Sequence, residues 1–260
     1  LDVLGLQALE IPTHPRDGIS LDALRFALDH NPVSACLVVS NFNNPLGSCM
    51  PDDNKRKLVE LLAQHDIPLI ENDIFGEIHF QDRRPNVAKA HDSRGLVMLC
   101  SSFSKSLCPG YRVGWVVPGR FMASIRWLKY TSSLASPTLS EYAIAEFLAS
   151  GSYDPYIRRT RRTYARYVGA LSQAVRRFFP PECRLTRPSG GFVLWVQLPQ
   201  RVDSLELYGQ ARQAGIAITP GYLFSPTNQY RNFVRLNAAN WSDKAERAIQ
   251  RLGEMIAALA

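Results

Sequence analysis

Lys105 closes the run Ser102-Phe103-Ser104-Lys105, and Arg112 follows seven residues later. A lysine in partly dry surroundings has its pKa drawn from about 10.4 toward neutrality, which makes its amine a nucleophile for carbonyl carbons. Hydroxyls and a guanidinium beside it supply the hydrogen bonds and the planar fork that hold a phosphate dianion, each charged contact stabilising by about 1.5–3 kcal/mol. Asp73, at the end of Glu71-Asn72-Asp73, is a carboxylate able to pair with a protonated ring nitrogen. A further polar segment is Asn43-Asn44-Pro45-Leu46-Gly47. Taken together, the lysine, hydroxyls, arginine and carboxylate describe a lysine Schiff base to pyridoxal phosphate, with Asp73 keeping the pyridine protonated so that the ring accepts electrons.

A competing chemistry has to be weighed. Ser102-Phe103-Ser104-Lys105 also spells S-x-x-K, the nucleophile motif of penicillin-recognising acyl enzymes. That chemistry needs the serine at the start of a helix, with S-D-N and K-T-G elsewhere. The chain has Ser242-Asp243-Lys244 and no K-T-G, and its S-x-x-K follows a strand and runs into Pro109-Gly110. The acyl-enzyme reading is rejected. The five cysteines, 36, 49, 100, 108 and 183, form no C-x-x-C pair and have no His cluster beside them, so reduced thiols are expected rather than a disulfide framework or a zinc site.

The elements that must position these groups are legible as apolar runs. Ala35–Val39, Ile67–Ile70, Leu96–Cys100 and Val113–Val117 read as strands, with Pro68 near the start of the second. A helix opens at Pro51-Asp52-Asp53, and further helical patterns span Phe121–Thr131 and Ser140–Ala149. Continuous apolar strands separated by helices predict a mostly parallel sheet covered on both faces, and ligands bind such sheets at the carboxyl ends of the strands. A long helix follows. Beyond it, strands at Gly191–Val196, Ile216–Thr219 and Phe233–Leu236, with helices at Leu205–Ala214 and Asp243–Leu259, predict a compact α+β unit. The fold class is therefore α/β: a large domain over 1–152, a connecting helix over 153–179 and a small C-terminal α+β domain over 180–260.

The 260 residues, 46% hydrophobic and 20% charged, exclude disordered and fibrous architectures. No apolar run approaches the roughly 18 residues of a membrane span, and the first residues carry no secretory pattern, so a cytoplasmic protein is expected. Between Tyr153 and Arg187 stand nine arginines against Asp154 and Glu182, an excess equal to the whole net charge of +7. Tyr164, Val168, Leu171, Val175 and Phe178 form one helical stripe there, leaving the arginines on the other faces. A solvated face paired with acidic neighbours is favoured over direct binding of a phosphate backbone.

Asn44-Pro45-Leu46-Gly47, Asp73, Ser102–Lys105 and Pro109-Gly110-Tyr111-Arg112-Val113-Gly114-Trp115 resemble the successive motifs of class I/II aminotransferases, the fold-type-I pyridoxal phosphate family. Pro188-Ser189-Gly190-Gly191-Phe192 and Phe233-Val234-Arg235-Leu236-Asn237 resemble its small-domain motifs. The resemblance implies a three-layer α/β/α large domain and pyridoxal 5'-phosphate as cofactor. It implies Lys105 as the Schiff-base lysine and proton shuttle, Asp73 at the pyridine nitrogen, and Asn44 at the phenolic oxygen. Ser102 and Arg112, with Ser104 a lesser candidate, would hold the phosphate, and Arg235 would clamp the α-carboxylate of a small amino acid or keto acid.

Two departures stand out. Phe75 occupies the position two residues after Asp73 where many members carry tyrosine, and it cannot donate to the phenolic oxygen. The loss of that bond, about 1 kcal/mol, is expected to shift the imine pKa by roughly one unit. The family's glycine-containing phosphate turn and ring-stacking aromatic are expected upstream of Leu1. Ala145–Leu148 and Gly151–Arg158, followed by the arginine-rich helix, are similar to the aminotransferase-like half of MocR-type regulators of the GntR family, and 2-aminoadipate-type aminotransferases are similar here too. The resemblance implies a homodimer. It also implies a ligand-sensing role, with DNA bound only through a winged helix upstream.

Overall fold

The structure, a computed structural model, describes residues 4–260; positions 1–3 of the expected large domain lie outside the described residues. A short hairpin of β1 (Thr13–His14) and β2 (Gly18–Ile19) leads into α1 (Leu21–His30). None of the three was anticipated above. The strands are two residues each, too short for a period-2 pattern. Helix α1 did carry a signal, because Ser20 caps it by accepting from Ala23 N at 3.3 Å and Leu24, Ala27 and Leu28 bury one face.

The sheet that follows contains β3 (Cys36–Val38), β4 (Leu69–Asn72), β5 (Val97–Ser102) and β6 (Gly114–Val117) in that spatial order, with α2 (Asp52–Gln64) crossing between the first two strands. Strands β3, β4 and β5 run parallel, and β6 pairs antiparallel with β5. The predicted mostly parallel sheet is therefore present, one strand being reversed. Helix α2 places Asp52 and Asp53 in its first turn, where the helix dipole favours them. Its Leu58, Val59, Leu61 and Leu62 bury against Cys36, Val38, Leu69 and Val97. Leu37 points to the other side of the sheet and is exposed, whereas Trp115 and Val117 of the edge strand β6 share the α2 face by register and are exposed there among the described residues.

Helices α3 (Met122–Ser133) and α4 (Thr138–Ala149) precede the 26-residue α5 (Tyr153–Phe178). The predicted stripe on α5 is real, with Val168, Leu171 and Val175 buried in the second core. The expected pairing of its arginines with acids is narrower than anticipated. Among the described residues only Arg161 of this helix makes an ion pair, with Glu77 at 3.0 Å.

The second sheet holds β7 (Arg184–Leu185), β8 (Val193–Gln197), β9 (Thr219–Pro220) and β10 (Phe233–Asn237) in the order β7-β8-β10-β9, every pair antiparallel. Helices α6 (Ser204–Gln213) and α7 (Asp243–Leu259) flank it. The strand expected over Ile216–Thr219 begins later because Ile216 N still bonds to Ala211 O at 2.8 Å, finishing α6. Asp203 and Ser242 cap the two helices by accepting from Leu205 N and Ala245 N. The five cysteines are free, Cys36 being buried and the others half-buried. No helix of the described residues is long and apolar enough to cross a membrane.

Candidate functional site

Because β3, β4 and β5 are parallel, the segments that follow them emerge at one edge of the sheet, and the reversed β6 begins at that same edge. Asn44, Asp73, Ser102 to Lys105 and Arg112 therefore share one rim, as the ordering of the motifs suggested. The register is tight: Ser102 pairs with Gly114, Phe103 N bonds to Val113 O at 3.1 Å, and Asp73 N bonds to Cys100 O at 2.8 Å. Ser101 Oγ adds a bond to the Asp73 carbonyl at 3.0 Å.

Within this rim Ser104 N donates to Ser102 Oγ at 3.3 Å, so the two serines form one turn. Lys105 is half-buried, and its amine has no hydrogen-bond or ion-pair partner among the described residues. Arg112 is exposed, sits in the left-handed region at φ 54°, and donates to Pro109 O at 3.4 Å. No direct side-chain bond joins Arg112 to either serine among the described residues.

Asn44 and Arg235 are brought together from the two sheets. Arg235 Nη1 donates to Asn44 Oδ1 at 3.0 Å, and its Nη2 donates to Thr219 Oγ1 at 3.1 Å. The guanidinium lies 5.4 Å from the centre of the Phe224 ring, its Nε is buried without a partner, and burial lowers its pKa. Asn44 uses its carbonyl in this bond, which leaves its amide N–H groups for another acceptor.

The Pro188–Phe192 segment closes the space between the sheets. Gly191 N bonds to Ile78 O at 2.7 Å, and Phe80 N bonds to Ser189 O at 2.9 Å. Gly47, at φ 71°, lies so close to Pro188 that an added Cβ would stand 2.7 Å from the Pro188 Cβ, so glycine is required there on both counts. Phe75 is 3% exposed and packs edge-on to Phe192 at 5.3 Å, in an apolar cluster with Phe42, Ile78 and Val193.

Asp73 is buried, and around it lies a polar network that the motifs did not disclose. Asn41 Nδ2 donates to Asp73 Oδ1 at 2.9 Å, and Arg84 Nη2 donates to Oδ2. Lys55, 1% exposed, donates to Asn41 Oδ1 and to the Asn86 carbonyl, each at 2.7 Å. One signal for Lys55 was present in the sequence: it shares a helical face with Leu58, Val59 and Leu62, an unusual place for an ammonium. Arg84 lies in an irregular loop and left no such signal. Among the described residues no group of three or more His, Cys, Asp or Glu side chains is placed to hold a metal ion.

A family model described as aminotransferase class I and II matches residues 3–252. The chain belongs to the class I and II aminotransferase family. Among aminotransferases of known structure, kynurenine aminotransferase of Pyrococcus horikoshii superposes with a TM-score of 0.90 at 28% identity, over 96% of this chain and 63% of that one. LysN, the alpha-aminoadipate aminotransferase of Thermus thermophilus, solved with N-(5'-phosphopyridoxyl)-L-leucine, also gives 0.90, at 27% identity over 96% of this chain and 65% of that one. By sequence, the uncharacterized HTH-type transcriptional regulator YjiR of Escherichia coli (strain K12) is 40% identical over 254 residues, 97% of this chain and 54% of that protein. The chain thus spans about half the length of the curated relatives it matches.

Proposed function

We propose that this aminotransferase-like domain is the ligand-sensing part of a MocR/GntR-type transcriptional regulator. The observation that carries the reading is the 40% identity, over nearly the whole chain, to an HTH-type regulator about twice as long. DNA would be bound by a helix-turn-helix part of the whole protein, and the small-molecule ligand would be an amino acid or keto acid. A DNA-binding regulator of this kind acts in the cytoplasm. We read the chain as a large domain over 1–152, a connecting helix over 153–179 and a small domain over 180–260.

The cofactor is pyridoxal 5'-phosphate, the group seen in phosphopyridoxyl form in the LysN structure. The donor set fits it: an amine without a partner and a buried carboxylate belong to segments that share one rim, and a guanidinium with one unpaired donor is bonded to Asn44 of that rim. When bound, it supplies an electron sink for bonds at an amino acid's α-carbon. Lys105 Nζ would hold the cofactor covalently and would move a proton at the substrate's α-carbon. Asp73 would pair with the ring nitrogen, and Asn44, whose carbonyl Arg235 holds, would donate its amide to the phenolic oxygen. Ser102, Ser104 and Arg112 would hold the phosphate, and Arg235 would hold the substrate carboxylate through the donors not used on Asn44 and Thr219.

A homodimer fits the apolar surface of α3 and α4. The former buries no residue and the latter only Ile144, while Trp127, Leu139 and Tyr142 are exposed. A free-standing amino-acid aminotransferase of the 2-aminoadipate type is the second reading, favoured by the likeness to LysN.

The test uses the full-length protein. Offered pyridoxal phosphate, it gains visible absorbance, and borohydride fixes the label on the peptide containing Lys105, whereas Lys105→Ala remains colourless. An amino acid that changes operator affinity without steady turnover supports the sensor. Sustained exchange between amino donor and keto acid, with no effect on DNA, supports the enzyme instead.

A further inference from the structure

The Asp73 carboxylate has no exposed side-chain surface, and both its oxygens are already engaged. Asn41 holds Oδ1, and Lys55 stands directly behind Asn41. Arg84, from the loop beyond β4, holds Oδ2. Arg84 is itself aimed by Glu77, whose Oε1 accepts from Nε at 2.7 Å, and Arg161 of α5 holds the other Glu77 oxygen at 3.0 Å. One cation is thus bonded directly to the carboxylate, and a second lies one amide away.

The local sequence leaves room for this arrangement. A Cβ at position 76 would collide with both Asp73 oxygens, so Gly76 lets the carboxylate lie back against its own turn, where Arg84 reaches it. Burial pushes the Asp73 carboxyl up; Arg84 and the Asn41 hydrogen bond oppose that push, and Glu71 adds to it. Burial works against the charge of Arg84, but Asp73 and Glu77 outweigh it. Further ionisable groups face this cluster: Cys49 lies beside Lys55 and Asp73, His79 faces Arg84, Glu77 and Arg161, and Tyr153 faces Glu77 and Arg161.

We propose that Arg84 is a positioning residue that weakens Asp73 as an acceptor for the cofactor's ring nitrogen. The inference rests on the assignment of Asp73 to that nitrogen. A carboxylate that shares one oxygen with a guanidinium presents less negative charge to a second proton donor. The ring nitrogen then holds its proton less tightly, and the ring is a poorer electron sink. A poorer sink slows bond breaking at the α-carbon while leaving binding intact, the combination a sensor requires.

The experiment loads the full-length protein with pyridoxal 5'-phosphate carrying nitrogen-15 in the ring and follows the ring-nitrogen chemical shift against pH. Arg84→Gln is expected to raise the protonation midpoint by about one pH unit, a tenfold stronger hold on the proton. Arg84→Lys, which keeps the charge, returns the midpoint toward that of the parent. Glu77→Gln leaves Arg84 with Asp73 as its sole carboxylate and lowers the midpoint, and a purely structural role would not move the two variants in opposite directions. Should Arg84→Gln fail to fold, Glu77→Gln carries the test alone, and a midpoint unchanged or raised overturns the inference. An unchanged midpoint in Arg84→Gln, where Asp73→Asn does shift it, removes Arg84 from the account and leaves the Asp73 assignment standing. If Asp73→Asn also leaves it unchanged, both fall.

Discussion

At the scale of single residues, Arg235 does two things at once. It bridges the sheets through Asn44 and Thr219, and it retains a buried donor without a partner. A guanidinium is suited to this because its donors diverge in a fixed plane, whereas an ammonium is a compact point charge. Arg235→Lys is therefore expected to weaken amino-acid binding by about tenfold to a hundredfold, the equivalent of one charge-assisted hydrogen bond at about 1.5–3 kcal/mol. Titration of the cofactor-loaded protein with the amino acid, followed by visible absorbance, checks this. Unchanged binding would remove Arg235 from the carboxylate site. The residues recognised by motif, Lys105, Asp73, Asn44 and Arg235, are those whose identity a reaction would restrict. Arg84 and Asn41 were not legible, because their significance lies in which carboxylate oxygen they reach.

At the scale of elements, the start of β5 depends on one buried carboxylate. Asp92 accepts from Leu96 N and Val97 N at 3.0 Å each and from Lys89 Nζ at 2.7 Å. Burial alone would raise its pKa, but Lys89 and the two amides prevail and hold it below the ordinary carboxylate range. A depressed folded-state pKa stabilises above the unfolded value of about 3.9, and that stability is lost as pH falls through the folded pKa. Asp92→Asn is expected to cost about 1–3 kcal/mol near neutrality and to flatten the decline of stability in acid. Urea unfolding of the two proteins across the acid range measures both effects. A parallel pair of curves would show that Asp92 contributes nothing to the slope.

At the scale of the whole molecule, two faces lack cover among the described residues. Trp115 and Val117 stand exposed on the edge strand β6 of the first sheet, and α3 and α4 present Trp127, Leu128, Tyr130, Leu139 and Tyr142. Clustered exposed apolar side chains such as those of α3 and α4 mark an interaction site. If a second copy covers α3 and α4, Trp127→Asp combined with Leu139→Asp shifts the full-length protein from dimer to monomer in sedimentation velocity. A dimer that persists would place its interface elsewhere.

Much of the α/β order was readable beforehand because it rests on short-range physics: apolar runs of strand length, helix caps such as Ser242, and a stripe on α5 whose spacing survives any environment. The placement of the candidate residues along one rim was readable for a related reason, since parallel strands deliver their carboxyl ends to one edge. What only the tertiary structure decided is pairing between segments far apart in the chain. It joined Arg235 to Asn44, reversed β6, left most of the α5 arginines without acids, and set Arg84 and Lys55 on either side of Asp73. Hydrogen bonds and ion pairs act over a few ångströms in space, and no local pattern of residue types encodes which distant loop will supply the other half.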